Sequence, residues 1–136
     1  MSIEELQYPL HPEIERVSQR LFREGHYQKA VIDAYARVIE EVKTKSGLAL
    51  AGDSLMNFAL SCDRQTPMIL FNSLQTEAER EEQRGLTFLF RGIVELQKSK
   101  AASNRLFNER ARAHEHLTLA SLLMRLLEIA TVDRLP

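Results

Sequence analysis

The groups in this chain best suited to chemistry on phosphate lie between Gln97 and Arg112, where Lys98, Lys100, Arg105, Arg110 and Arg112 stand against Glu109 alone. The whole chain has a net charge of −1, so this positive charge is local, and it is what a protein uses to track phosphate oxygens. Just beyond it, Arg110 and His114 are four residues apart, which on a helix puts a permanent cation and a group that titrates near neutrality on one face. Such a pair can contribute to a groove that binds RNA. With Asn104 these residues make a candidate RNA-contacting set of Lys98, Lys100, Asn104, Arg105, Arg110 and His114. The plainer reading is a hydrated loop followed by the solvated first turn of a helix. Phe107, inside the same stretch, suits either stacking on a base or anchoring in the core. Arg110 and His116, with five residues between them, form a second arginine–histidine spacing. As metal ligands His114 and His116 are poorly placed, since two residues on a helix point about 200° apart. We expect no metal and no cofactor.

The elements that must position these groups read as helices. Ile14, Val17, Leu21 and Phe22 fall at helical spacing from Pro12, with Gly25 as a stop. Ala30, Val31, Ala34, Tyr35, Val38, Ile39 and Val42 mark a second helix that ends in Lys43, Lys45 and Gly47, where basic residues and a glycine suit a C-terminus. Asp53 or Ser54 is expected to cap a short third helix carrying Leu55, Met56, Phe58 and Ala59. The apolar run Met68–Phe71 is too short for periodicity to assign, and an all-helical setting favours a turn packed on the core. Thr76 with Glu79 matches a capping box, opening a long helix whose polar start, residues 77–84, leads to Leu86, Phe88, Leu89, Phe90, Ile93 and Leu96. Gly85 and Gly92 share nearly one face of it and permit close approach of another helix. Asn108 can cap a last helix through Ala113, Leu117, Ala120, Met124 and Leu127. Its apolar stripe is wide enough to be either the centre of the bundle or a face shared between core and subunit interface.

We find no internal repeat and no alternating strand pattern, so the expected fold is an all-α antiparallel helical bundle of four to five helices. It occupies residues 11–136 as one domain behind an arm of residues 1–10. The 136 residues, 44% of them hydrophobic, suffice for one core, and five glycines and four prolines argue against a disordered or fibrous chain. Cys62 is the only cysteine, which excludes an internal disulfide and suits a reducing compartment. The first residues lack the basic and apolar regions of a signal peptide, and no apolar run approaches the roughly 20 residues of a membrane helix. A cytoplasmic protein with no membrane partner is expected.

Residues 85–105, with Gly85-x-x-Phe88-Leu89-Phe90-x-Gly92-Ile93-Val94-x-Leu96 followed by Ser99-Lys100-Ala101 and Ser103-Asn104-Arg105-Leu106-Phe107, resemble a segment of the Ymh-type branch of the HEPN superfamily. That superfamily comprises small all-helical ribonucleases and nucleotide-binding proteins, and the segment carries its Arg-x4-His motif. Leu10-His11-Pro12, Leu21-Phe22 through Val31, Gly52-Asp53-Ser54-Leu55-Met56, Glu82-Gln83-Arg84-Gly85 and Arg112-Ala113-His114-Glu115-His116-Leu117 are similar to the same family, in the same order. The resemblance implies a HEPN-like bundle, often dimeric, from phage and bacterial defence loci, with metal-independent endoribonuclease activity in active members. It further implies RNA as substrate, a homodimer whose two motif segments face each other, and an antitoxin or defence-system protein as a possible partner. In the preferred register Gln97 stands where the family has its arginine and Ala102 where it has its histidine. A shift of one residue puts Lys98 and Ser103 there instead. Glutamine has a dipole but no charge, and alanine has neither, so the resemblance implies an inactive copy at these two catalytic positions. Natural loss would leave a dimeric module that binds a protein or nucleotide. A deliberate His→Ala change at position 102 would leave an active toxin or phage-defence parent. The family-like neighbours of Ala102 favour the second origin there, while Gln97 fits drift or a second change.

Overall fold

Pro12 sets the backbone angle of a first helical turn, and the residue before it supplies the cap: the Nδ1 of His11 accepts the N–H of Glu13 at 3.1 Å. From this start α1 runs Pro12–Arg23, with Ile14 and Ser18 buried. The computed structural model describes residues 9–63, 65–98 and 107–133, and among them five helices form the molecule. Helix α2 spans Tyr27–Ser46 and ends on Gly47, whose φ of 72° needs a residue without a Cβ. Helix α3 is Gly52–Leu60, α4 is Glu77–Lys98 and α5 is Arg110–Ile129. The all-α bundle expected from the periodicity is the observed architecture.

Helix α2 is the one the others are built around. Its buried residues Ala30, Val31, Ala34, Tyr35, Val38 and Val42 lie on a face that packs against α1, α3, α4 and α5. The last helix, whose broad stripe suited either a central or a shared role, packs chiefly on α1 and α2 and leaves Leu122 and Ile129 exposed. Glu13 accepts from Arg16 of its own helix at 2.9 Å and, across the α1–α2 seam, from Arg37 at 3.1 Å. These two guanidiniums hold its carboxyl well below the ordinary range, at about 2. The stabilisation from that shift is complete above the ordinary carboxylate range and fades as the pH falls towards 2.

Three local expectations change. Helix α3 is capped by neither Asp53 nor Ser54: Ala51 is the cap residue, with extended backbone and no side-chain bond, and Asp53 sits in the first turn, where a negative charge suits the helix dipole. The run Met68–Phe71 is not only a turn. Ile69–Leu70 forms a strand, β1, antiparallel to β2 at Thr131–Val132, pairing Ile69 with Val132 and Leu70 with Thr131. Two residues per strand carry no periodicity, which is why the pattern was silent. Finally, the long helix does not simply pass from exposed to buried. Phe90, Ile93 and Val94 are buried, whereas Phe88 and Leu89 are 60% and 43% exposed, and a Cβ added at Gly85 or Gly92 would meet nothing within 4 Å. Among the described residues no element covers Gly85 or Gly92 on that face.

The capping box at the start of α4 is present: Glu79 N–H donates to Thr76 Oγ1 and Thr76 N–H to Glu79 Oε1, both at 3.1 Å. Six residues into α4, Gln83 is fully buried and joins three elements. Its Nε2 donates to the carbonyls of Leu60 and Ile69, each at 2.9 Å, and its Oε1 accepts the N–H of Phe71 at 3.0 Å. Removing this amide strands buried backbone groups with no water to replace it. Gln83→Ala should therefore lower stability by about 3 kcal/mol. Gln83→Glu should cost at least as much, because a carboxylate oxygen would face two carbonyls. Urea unfolding with an unchanged slope and a lower midpoint checks this, and a midpoint within error of the parent would refute it.

Candidate functional site

Helix α5 begins with two arginines at the end of a helix where positive charge is disfavoured. Asn108 is not its cap: the cap position is Glu109, which makes no side-chain cap bond. What relieves the arginines is lateral contact. Arg112 pairs with Glu115 at 2.7 Å on the outer face, and the Arg110 guanidinium lies over the Phe22 ring of α1, 5.7 Å from its centroid. One turn on, the His114 ring is 6.5 Å from the same phenyl ring. The four-residue spacing thus brings Arg110 and His114 to a common place. That place is a cleft of about 420 Å³ between α1 and α5, with Leu10, Phe22 and Leu117 as its floor and Gln19, Arg23 and Glu15 on the opposite rim. Gln19 donates to Glu15 at 2.9 Å, which occupies part of the one acidic group there.

The wall that α1 presents is set from the helix start. His11 donates its backbone N–H to Ser121 Oγ at 2.6 Å, and because its Nδ1 is already an acceptor, its Nε2 carries the proton that meets Glu128. Arg125 donates to the Pro9 carbonyl at 2.9 Å. These contacts pin the entry of α1 to the second half of α5, while the first half of α5 stands opposite Phe22 and Arg23.

His116 faces the other way. The Tyr35 hydroxyl and His116 Nδ1 share a hydrogen bond at 2.5 Å, and the Phe107 ring packs 4.9 Å from the imidazole. Arg110 and His116 therefore do not meet, and Phe107, 3% exposed, is a core anchor and not a stacking platform. The aromatic group beside the cationic residues is Phe22 instead. It was read only as a member of the core stripe of the first helix, and nothing local marks it as a cleft residue. Among the described residues no group of three or more His, Cys, Asp or Glu side chains gathers in a metal-like cluster.

Of the remaining expected positions, Gln97 occupies the last turn of α4, half-exposed, and Lys98 pairs with Glu95 at 3.1 Å. Lys100, Ala102, Asn104 and Arg105 lie outside the described residues. Within them, two members of the expected RNA-contacting set, Arg110 and His114, come together.

The chain was compared with protein families, curated proteins and solved structures. A family model described as "Protein of unknown function (Hypoth_ymh)" matches residues 8–127. No curated protein and no solved structure matches the chain.

Burial pushes the Tyr35 phenol well above its ordinary value, because a phenolate there would lose its water. The sign follows: Tyr35 stabilises the fold fully below about pH 10, and the contribution is lost at higher pH, where the unfolded phenol ionises and the folded one does not. In an alkaline titration followed at 295 nm, the Tyr35 component should appear only with unfolding and be missing from the Tyr35→Phe protein. A reversible phenolate signal from Tyr35 in the folded state would contradict this.

Proposed function

The chain belongs to the Hypoth_ymh family, and on that footing we propose that it is a HEPN-like, metal-independent endoribonuclease whose working pair is Arg110 and His114. The observation that carries this reading is the shared cleft, where a permanent cation, a titratable imidazole and an aromatic ring converge opposite Arg23. Gln97 and Ala102, the positions singled out by resemblance, hold no group that can carry charge or move a proton. His114 does both.

In this reading the RNA backbone lies along the rim, and an unstacked base rests on Phe22 and Leu117. Neutral His114 takes the proton of the ribose 2′-hydroxyl as that oxygen attacks phosphorus. Arg110 and Arg23 hold the phosphoryl oxygens as their charge increases, and the 5′-oxygen leaves with a proton from water while His114 returns its own to solvent. The product is a 2′,3′-cyclic phosphate and a free 5′-hydroxyl. Lys98, Lys100, Asn104 and Arg105 extend the backbone contacts. Such an enzyme would act in the cytoplasm as a toxin or phage-defence effector, with a second copy of the chain and an antitoxin or defence-system protein as partners. The second reading, a dimeric module that binds a protein partner or nucleotide without cutting, is favoured by the unreactive side chains of Gln97 and Ala102.

On a single-stranded RNA in EDTA, the protein should release ends carrying the cyclic phosphate. His114→Ala should slow this by about a hundredfold to ten-thousandfold, and Arg110→Ala should both slow it and flatten its salt dependence. Changing Gln97→Arg and Ala102→His together should leave the rate where it was. If the parent binds RNA without cutting and this double variant cuts, the reactive pair belongs at 97 and 102 and the parent is the binding module. If neither protein binds RNA, the nuclease reading falls.

A further inference from the structure

The cleft between α1 and α5 is charged oppositely towards its two ends. Among the described residues, the guanidiniums of Arg23 and Arg110 make no hydrogen bond or ion pair, whereas every other described arginine side chain meets a carboxylate or a carbonyl. Both unpaired cations line this one cleft. Glu15, Gln19 and Arg23 recur every four residues on α1 and share one side of it, which sets Glu15 about 12 Å from Arg23 along the axis at 1.5 Å per residue. Because the start of α1 is fastened to the second half of α5 while Phe22 meets Arg110, the two helices run antiparallel and both arginines fall at one end. Glu15 lies towards the other end. Its Oε1 accepts from Gln19, and its Oε2 accepts from no described group. Between them is the apolar floor of Leu10, Phe22 and Leu117.

We infer that the cleft takes one nucleotide of an RNA strand and that its base is guanine, read by the carboxylate of Glu15. This rests on the reading of the cleft as an RNA site and adds which nucleotide it selects. A nucleotide is anionic at one end, flat in the middle and edged with hydrogen-bonding groups at the far side of its base. The cleft presents arginines, floor and carboxylate in that same order. The 3′-phosphate of the bound nucleotide meets Arg23 and Arg110, and the base lies on the floor. An ionised carboxylate only accepts hydrogen bonds, so the edge that suits it carries adjacent donors. Guanine alone among the four bases has two of these, N1–H and the N2 amino group, on its Watson–Crick edge. Adenine and cytosine set one amino group beside a bare ring nitrogen, and uracil sets its single N–H between two carbonyls, so each turns a lone pair towards a negative oxygen. Gln19 holds the carboxylate through Oε1, and both oxygens keep lone pairs for the two guanine donors. Glu15 is thus a specificity residue and takes no part in the proton transfers.

Calorimetry with the 3′-monophosphates of guanosine, adenosine, cytidine and uridine reads binding without cleavage, and end-mapping of a mixed-sequence RNA reads where cutting falls. Guanosine 3′-monophosphate should bind about tenfold or more tighter than the other three, the scale of one good bidentate base contact. Cutting should fall on the 3′ side of guanosines. Glu15→Gln, which keeps the size and a good helix former, should bring the guanosine and adenosine nucleotides to equal affinity, whereas Arg23→Ala should weaken all four alike. A guanine preference that survives Glu15→Gln, a preference for another base, or equal affinities in the parent would overturn the guanine assignment, and the nuclease reading would still stand if RNA is cut. Guanine-selective binding lost in Glu15→Gln, with no cutting of RNA, would keep the assignment and remove the catalysis. If no nucleotide binds, the assignment falls, and if RNA is neither bound nor cut, the reading beneath it falls too. Circular dichroism of each variant separates loss of binding from loss of fold.

Discussion

Three backbone groups from two irregular places converge on the fully buried side chain of Gln83. The end of α3, the strand β1 and the residue after that strand would each otherwise present an N–H or C=O to the apolar interior. A helix satisfies its own backbone, but the chain between two helices does not, so a bundle with a buried crossing must bring a donor and an acceptor to it. One amide brings both. Thr87, one turn on, adds its hydroxyl at 3.1 Å from the same Leu60 carbonyl. With the crossing fixed, Phe71 stacks on Phe90 at 5.7 Å between centroids, and α4 is held against α2 and α3 at a set rotation about its own axis. That rotation decides which face of α4 is left outside.

The opposite side of α2 uses a different device. There α1 and α5 are fastened by His11, whose backbone and ring together reach Ser121 and Glu128 while its other nitrogen caps α1. The fastening engages the second half of α5, and the cleft is lined by the first half of that helix together with Pro9 and Leu10 beside the fastening. Because a helix is stiff over this length, the position of His11 fixes how far Phe22 and Arg23 stand from Arg110 and His114. Clamping one end sets the opening of the other without placing any bond across the cleft itself.

Much of this was legible in the residues, for reasons particular to each element. The second helix could be read because its apolar positions recur through more than three turns, from Ala30 to Val42, before a glycine whose backbone is left-handed. The start of α4 could be read because Thr76 and Glu79 answer each other at fixed spacing. Periodicity failed at Ile69–Leu70, where two residues have no period, and at Ala51, where backbone alone makes the cap. It misjudged Phe88 and Leu89, since spacing records which residues are apolar and not what covers them. At the cleft, the four-residue interval predicted that Arg110 and His114 share a face. Their opposite wall lies in α1, far away in sequence, and only the packing of α1 on α5 reveals it. Phe107 sat inside the basic stretch and so drew attention that belonged to Phe22.

The bonds of His11 to Ser121 and of Ile69 to Val132 both bridge the earlier chain to its last helix and the strand after it, the first across 110 positions. A ribosome delivers the chain from its first residue, so α1, α2 and α3 emerge with their inner faces bare and must wait for α5 to be covered. The two groups that converge in the cleft arrive on that same final helix. An incomplete chain therefore holds the aromatic wall and the arginine of α1 but neither Arg110 nor His114. The cleft is thus complete only once synthesis has passed the end of α5 and that helix has packed on α1.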